Sequence, residues 1–173
     1  SDHGEEFLEH GQFGHMKTVY HEVTSVPLLI KFPHQQAAKV VTGDFPLFDL
    51  TPSLLEYLGI PHQALGMQGR TVDFRSLVRC ADQPIFLSTL NGVRAVQSGG
   101  YKLIETRDPA PARELYRLDT DPGERHNLAA TGAGSAAAET LAARLRGRDA
   151  RELPADTAHY AEMVRRAGVP LPG

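Results

Sequence analysis

The chain has 173 residues, a formal net charge of −3, 41% hydrophobic and 23% charged residues. That length can bury a real core, and with no basic block in the sequence nucleic-acid binding is unsupported. No apolar run reaches membrane-spanning length, no signal-peptide pattern opens the chain, and the single cysteine, Cys80, excludes an internal disulfide but leaves the compartment open.

Residues 1–31 concentrate the polar chemistry. Four of the eight histidines (His3, His10, His15, His21) lie there with five carboxylates (Asp2, Glu5, Glu6, Glu9, Glu22). Asp2 offers a hard oxygen and His3 an imidazole nitrogen, both suited to a divalent metal. Neighbouring residues share one ion only if the backbone turns sharply, and Gly4 tolerates such a turn. Taken alone, Asp2-His3-Gly4 reads more simply as a capped loop beside a solvated histidine. Glu5 to Gly14 reads as loop with at most a helical turn, and Lys17 to Val23 as a short helix. Val26 to Lys31, within an apolar run reaching Phe32, reads as a buried strand ended by Pro33. Polar ligands beside such a strand suggest a site at the edge of a sheet.

Lys39 to Val41 is expected to be a short extended piece. Asp49 to Leu58 is the clearest helix, with Thr51 as cap, Pro52 in its first turn and Gly59 as its stop. Leu54, Leu55 and Leu58 form its apolar stripe, expected to pack on a sheet. Pro61 to Arg70 reads as loop and Thr71 to Val78 as a short helix. The pattern then changes to short strands: Ile85–Leu87, Val93–Val96, Tyr101–Ile104 and Glu114–Leu118. Asn91-Gly92 and Gly99-Gly100 are turn signals between the first three, and residues 108–111 make the last connection, so this is a small antiparallel sheet. Asp121-Pro122-Gly123 turns the chain out of it, and Glu124, Arg125 and His126 read as solvated turn residues. Beyond a Gly- and Ala-rich stretch at 131–135, Ala136–Leu145 is helical by propensity. A second helix is expected over Ala155–Ala167. Arg144, Arg146, Arg148 and Arg151 read as a salt-bridged helix face.

The ordered set of short motifs resembles the sulfatase family of the alkaline-phosphatase-like superfamily. It comprises Ser1-Asp2-His3-Gly4-Glu5, Glu9-His10-Gly11, Gly14-His15, Tyr20-His21-Glu22 and Val26-Pro27-Leu28-Leu29-Ile30. It continues with Asp49-Leu50-Thr51-Pro52-Ser53, Gly69-Arg70-Thr71-Val72, Leu115-Tyr116, Asp121-Pro122-Gly123-Glu124 and Asn127-Leu128, covering residues 1 to about 130. The resemblance implies an α/β fold: the C-terminal part of an alkaline-phosphatase-like sandwich, with a small antiparallel sheet subdomain and C-terminal helices. The expected division is 1–80 for part of the main α/β domain, 81–130 for the small sheet and 131–173 for the helices. It also implies that Asp2 and His3 hold a divalent metal, usually calcium, with manganese, magnesium or zinc as alternatives. His15 stands where the family carries a Lys or His that contacts the sulfate and the leaving-group oxygen. His10 is expected to brace the loop, while His21 and Ser25 stand where the family often has Glu and Arg.

The family's nucleophile is a Cys or Ser in Cys/Ser-x-Pro-x-Arg, matured to formylglycine. That motif does not occur in these residues, and Cys80 lacks its Pro and Arg. The expectation is therefore a C-terminal sulfatase portion whose partner is the N-terminal part of the same protein, with a sulfate ester as substrate. Alone it should be inactive and inclined to associate. Two alternatives stand beside this reading: a phosphonate or phosphodiester hydrolase of the same superfamily, and a non-catalytic metal-binding or interaction module.

Overall fold

A computed structural model describes residues 1–15, 17–63, 67–74, 83–89, 91–107 and 110–149. Cys80, Arg151, the expected helix at 155–167 and the second half of that at 71–78 lie outside the described residues.

The centre of the molecule is a four-stranded antiparallel sheet in the order β3-β4-β5-β6, formed by Ile85–Ser88, Val93–Ser98, Tyr101–Thr106 and Ala112–Arg117. The hairpin between β4 and β5 turns on Gly99 and Gly100, with φ of 60° and 78°. A two-residue hairpin with positive φ at both central positions matches the right-handed twist of its strands, and only glycine adopts it without strain. The register places Val96 opposite Leu103 and Leu103 opposite Leu115. Successive side chains point to opposite faces, so these three share one face. It is covered by Ala138, Leu141, Ala142 and Leu145 of helix α3, Ser135–Asp149. The other face carries Val93, Ala95, Ile104 and Tyr116 and packs on Val19 and Tyr20 of the N-terminal stretch. Lys102, in register with Gln97 and Tyr116, belongs to this second face. Leu115 is fully buried against α3. Leu115→Ala is expected to cost about 2–5 kcal/mol, read from the urea midpoint at unchanged slope.

Three N-terminal expectations change. Residues Glu6–Phe7 (β1) and Phe13–Gly14 (β2) pair as a small ribbon rather than a loop with a helical turn. Its tip closes by hydrogen bonds between Leu8 and Gln12 and between Gly11 and Leu8. The short helix, α1, runs over His21–Thr24, later than expected. Val26 to Phe32 forms no strand among the described residues, and Leu29 is 88% exposed. A buried parallel strand needs neighbours on both sides, and among the described residues the four main strands pair only with one another. Lys39 to Val41, expected only as a short extended piece, joins no sheet among the described residues.

Helix α2 spans Leu50–Tyr57, but Asp49 rather than Thr51 stands at its N-cap. Its inward face is Pro52 and Ser53, while Leu54 and Leu58 are exposed, so the leucine stripe does not pack on the sheet. The reason is the segment at residues 69–72, which runs over the helix start. The Arg70 amide donates to Asp49 Oδ1 at 2.8 Å, and the Val72 amide to Ser53 Oγ at 2.8 Å. Gly69 is required there, since a Cβ would lie 1.8 Å from the Phe48 carbonyl oxygen. On α3, Arg144 and Arg148 also reach to other parts of the chain. Arg144 donates to Ser98 Oγ, and Arg148 donates to Gln68 Oε1 and stands over the Phe86 ring.

Candidate active site

The N-terminal stretch folds so that Asp2, His3, Glu5 and His15 meet. Glu5 enters the ribbon and His15 leaves it, and the pairing of Glu6 with Gly14 brings their neighbours side by side. His15 Nδ1 donates to Glu5 Oε1 at 2.6 Å. The His3 ring stacks on the His15 ring at 3.8 Å and 26°. His3 Nδ1 donates to the Gly4 carbonyl at 3.0 Å, which leaves Nε2 with its lone pair. That Nε2 lies 3.8 Å from Asp2 Oδ2. Asp2 is exposed, and backbone N–H groups with His3 hold its carboxyl below the usual range. His3, Glu5 and His15 also offer three donor atoms within 4.8 Å of one another. Glu5 is thus a site residue that sequence reasoning left without a role. Its signal was its place directly after Asp-His-Gly. Lys17 is exposed and stands outside the cluster.

Gly4 serves close approach rather than a sharp turn. Its amide donates to the Val23 carbonyl at 2.8 Å, and a Cβ would stand 2.0 Å from the Glu22 carbonyl oxygen. The loop bearing Asp2 and His3 therefore lies directly on the backbone of α1.

Behind it lies a hydrogen-bonded layer centred on His10. Nδ1 contacts Glu22 Oε1 at 2.5 Å and Nε2 contacts the Glu124 carbonyl at 3.0 Å. Both partners are acceptors, so both nitrogens donate and the ring is an imidazolium stacked on Tyr20 at 3.7 Å. Burial opposes this charge, but Glu22 and Glu124 outweigh it and raise the pKa of His10. Glu6, His10 and Glu22 come close enough to suggest a second metal site. With both His10 nitrogens engaged, the group is a brace instead. Glu6 is buried, and burial raises its carboxyl pKa.

A raised folded-state pKa means that His10 stabilises the fold fully below its unfolded value of about 6.5. That contribution is lost as pH rises through the higher folded value. The melting temperature of the wild type is expected to fall as pH rises above about 6.5. His10→Gln should flatten that slope, which a pH series of thermal melts reads directly.

One expectation is overturned here. Glu124 is not a solvated turn residue. Its carboxylate is buried and pairs with Lys102 Nζ at 2.8 Å, both side chains being 0% exposed. Its other oxygen accepts the His21 amide at 2.5 Å. Arg125 and His126 are exposed, and Asp121 accepts both of their amides. Tyr20 and Tyr116 both donate to Glu114 Oε2, at 2.7 and 2.5 Å; burial, then that carboxylate, push both phenols up.

The candidate site opens on a cavity of about 1080 Å³ whose walls include Asp2, His3, His15, His21, Arg70 and Gln97. Such a cleft, with histidines and a carboxylate at its rim beside a packed sheet, is a candidate binding site.

The architecture is that of the alkaline-phosphatase-like fold, as its C-terminal part. Residues 8–151 match the family model described as N-sulphoglucosamine sulphohydrolase, C-terminal, and the chain belongs to the sulfatase family. It is 30% identical to arylsulfatase K of Homo sapiens over 143 residues, covering 75% of this chain and 26% of the relative. To arylsulfatase K of Bos taurus it is 31% identical over 144 residues, with the same coverage. The chain thus spans about a quarter of the length of the curated relatives it matches. Among solved structures it is similar to BT1596, a 2-O GAG sulfatase, with a TM-score of 0.68 and 27% identity over 86% of this chain and 35% of that one. It shares the fold of BT4656, solved with D-glucosamine-2-N,6-O-disulfate, at a TM-score of 0.56 and 19% identity over 86% of this chain and 32% of that one.

Proposed function

We propose that this chain supplies part of the metal and sulfate site of a sulfatase that hydrolyses sulfate monoesters. The observation that carries the reading is the disposition of Asp2 and His3. Two donors each about 2.1–2.4 Å from one ion stand roughly 3–4 Å apart, and Asp2 Oδ2 and His3 Nε2 are 3.8 Å apart. His3 is held in the tautomer that frees Nε2, as metal-ligating histidines are. These residues fit a divalent ion. Calcium is the family's usual choice, and the imidazole suits manganese or zinc as well.

When bound, that ion would act as a Lewis acid on the sulfate oxygens. Asp2 and His3 hold it in place and Gly4 lets their loop lie against α1. Glu5 accepts from Nδ1 of His15 and orients the ring; in the imidazolium form its Nε2 would donate to a sulfate oxygen and could give its proton to the leaving-group oxygen. In this reading a formylglycine nucleophile from sequence N-terminal to these residues completes the site. The names of its relatives point to a sulfated sugar as the substrate class.

The test uses the complete protein. Metal content by elemental analysis and hydrolysis of an aryl sulfate against the matching aryl phosphate are measured for wild type, Asp2→Ala and His3→Ala. The expected result is one ion per wild-type chain, lost or weakened in both variants, with sulfate preferred. Unchanged metal content in both variants would sink the assignment.

A further inference from the structure

We propose that the buried Lys102–Glu124 pair is a positioning device for this site, setting where α1 and His10 stand and, through them, the loop that bears Asp2, His3 and Glu5. The inference rests on the sulfatase reading above for what the loop does, and on contacts alone for how it is held.

Glu124 makes three separate attachments. One carboxylate oxygen meets Lys102 Nζ at 2.8 Å, the other accepts the His21 amide at 2.5 Å, and its carbonyl accepts from His10 Nε2 at 3.0 Å. It does so with φ at 52°, a left-handed conformation sparsely populated by residues with a side chain. Such strain persists only where its surroundings over-determine it. Helix α1 has no side-chain cap from Tyr20 at its own N-cap. Its first amide is capped instead by Glu124, 103 residues away in sequence.

The next links are short. Glu22 of α1 is gripped by His10, and the Val23 carbonyl accepts the Gly4 amide at 2.8 Å. The space of only 2.0 Å between a Gly4 Cβ and the Glu22 oxygen leaves no slack. Gly4 is flanked by His3 and Glu5. A shift of Glu124 therefore passes through two layers of backbone contact to the candidate ligands.

The anchor is rigid because Lys102 sits on β5, paired along its length with β4 on one side and β6 on the other. Taking two charges out of water is expensive, and a well-packed apolar pair often serves stability as well or better. A charge pair in this place gives direction: one carboxylate is divided between a cation on the sheet and an amide on the helix. Sites held by such supporting shells lose function when the shell loosens, even with every ligand present.

The test uses the complete protein carrying Glu124→Gln, which keeps the shape and removes the charge. Calcium and manganese affinity by calorimetry, kcat and KM for an aryl sulfate, and amide resonances of His3, Glu5 and His21 are read well below each melting point. Loss of a supporting partner typically costs about 10–100-fold in metal affinity or activity. That loss is expected in affinity and kcat with the far-ultraviolet circular dichroism unchanged, and the three resonances should move. Leu115→Ala, on the opposite face of the sheet, is the stability control and should keep metal affinity within about twofold. Should Glu124→Gln not fold, the double variant Lys102→Met/Glu124→Gln leaves no lone charge and is expected to show the same loss. A folded variant with wild-type affinity, kcat and resonances overturns the proposal, as does an equal loss in Leu115→Ala. If wild type itself binds no metal, the sulfatase site assignment fails. The coupling is then decided by the His3 and Glu5 resonances, which Glu124→Gln must still move.

Discussion

In the complete enzyme, His15→Ala is expected to keep its metal and lose about a hundredfold to ten-thousandfold in kcat. On the proposed assignment the metal should stay, because Asp2 and His3 would hold it without His15. On the proposed role the rate should fall, because His15 would bring an oriented nitrogen to the sulfuryl group, its Nδ1 being tied to Glu5 at 2.6 Å. A donor of this kind matters most where negative charge collects on the departing oxygen. The defect should therefore shrink across a series of aryl sulfates as the leaving-group pKa falls. Glu5→Gln should act in the same direction and more weakly, since it loosens the ring without removing it. The measurement is metal content beside kcat for graded substrates. Metal loss in His15→Ala would make His15 a ligand, an arrangement that the closeness of the His3, Glu5 and His15 donor atoms would accommodate. Full rate with metal retained would make it a loop histidine, and the exposed Lys17 would be the next cation to test.

The small sheet and the site lay unequally open to inspection of the sequence. Strands at 85–88, 93–98, 101–106 and 112–117 follow from apolar alternation punctuated by Asn-Gly and Gly-Gly, signals that act over a few residues. Local rules also found α2. They failed where an element depends on distant partners. The run from Val26 to Phe32 has a strand's composition but no ladder partner among the described residues, and composition cannot supply one. The leucines of α2 were expected to face inward, yet the segment at residues 69–72 claimed the other side of the helix through Asp49 and Ser53. Asp2, His3 and His15 could be singled out because the motif's order marks them, and His10 was expected to brace the loop. Glu5 took its place from the ribbon, and the partners of His10, Glu22 and Glu124, come from contacts the sequence does not show. Glu124 was the largest miss. A charged residue after Asp-Pro-Gly reads as solvated unless the lysine that buries it is known. Lys102 in turn reads as an outward-facing strand residue until the register places it on the inner face.

That hidden pair yields the second large expectation. Lys102→Met leaves a carboxylate in a site where both partners are 0% exposed. Removing one member of a buried pair typically costs about 3–5 kcal/mol, because the remaining charge has neither water nor a counter-ion. The Glu124 carboxylate would keep the His21 amide but would have lost the ammonium group it pairs with. Its best escape is to take up a proton. Stability of Lys102→Met should therefore recover in part as pH falls, a slope opposite to acid denaturation. Adding Glu124→Gln should restore most of the loss at neutral pH, since the amide carries no charge and its oxygen can still accept from His21. Urea titrations of the three variants at two pH values separate these terms. A cost below about 1 kcal/mol for Lys102→Met, the range of an exposed ion pair, would show that the pair is hydrated in solution. A double variant no more stable than Lys102→Met would show that the lost packing of the lysine, and not the lone charge, carries the effect.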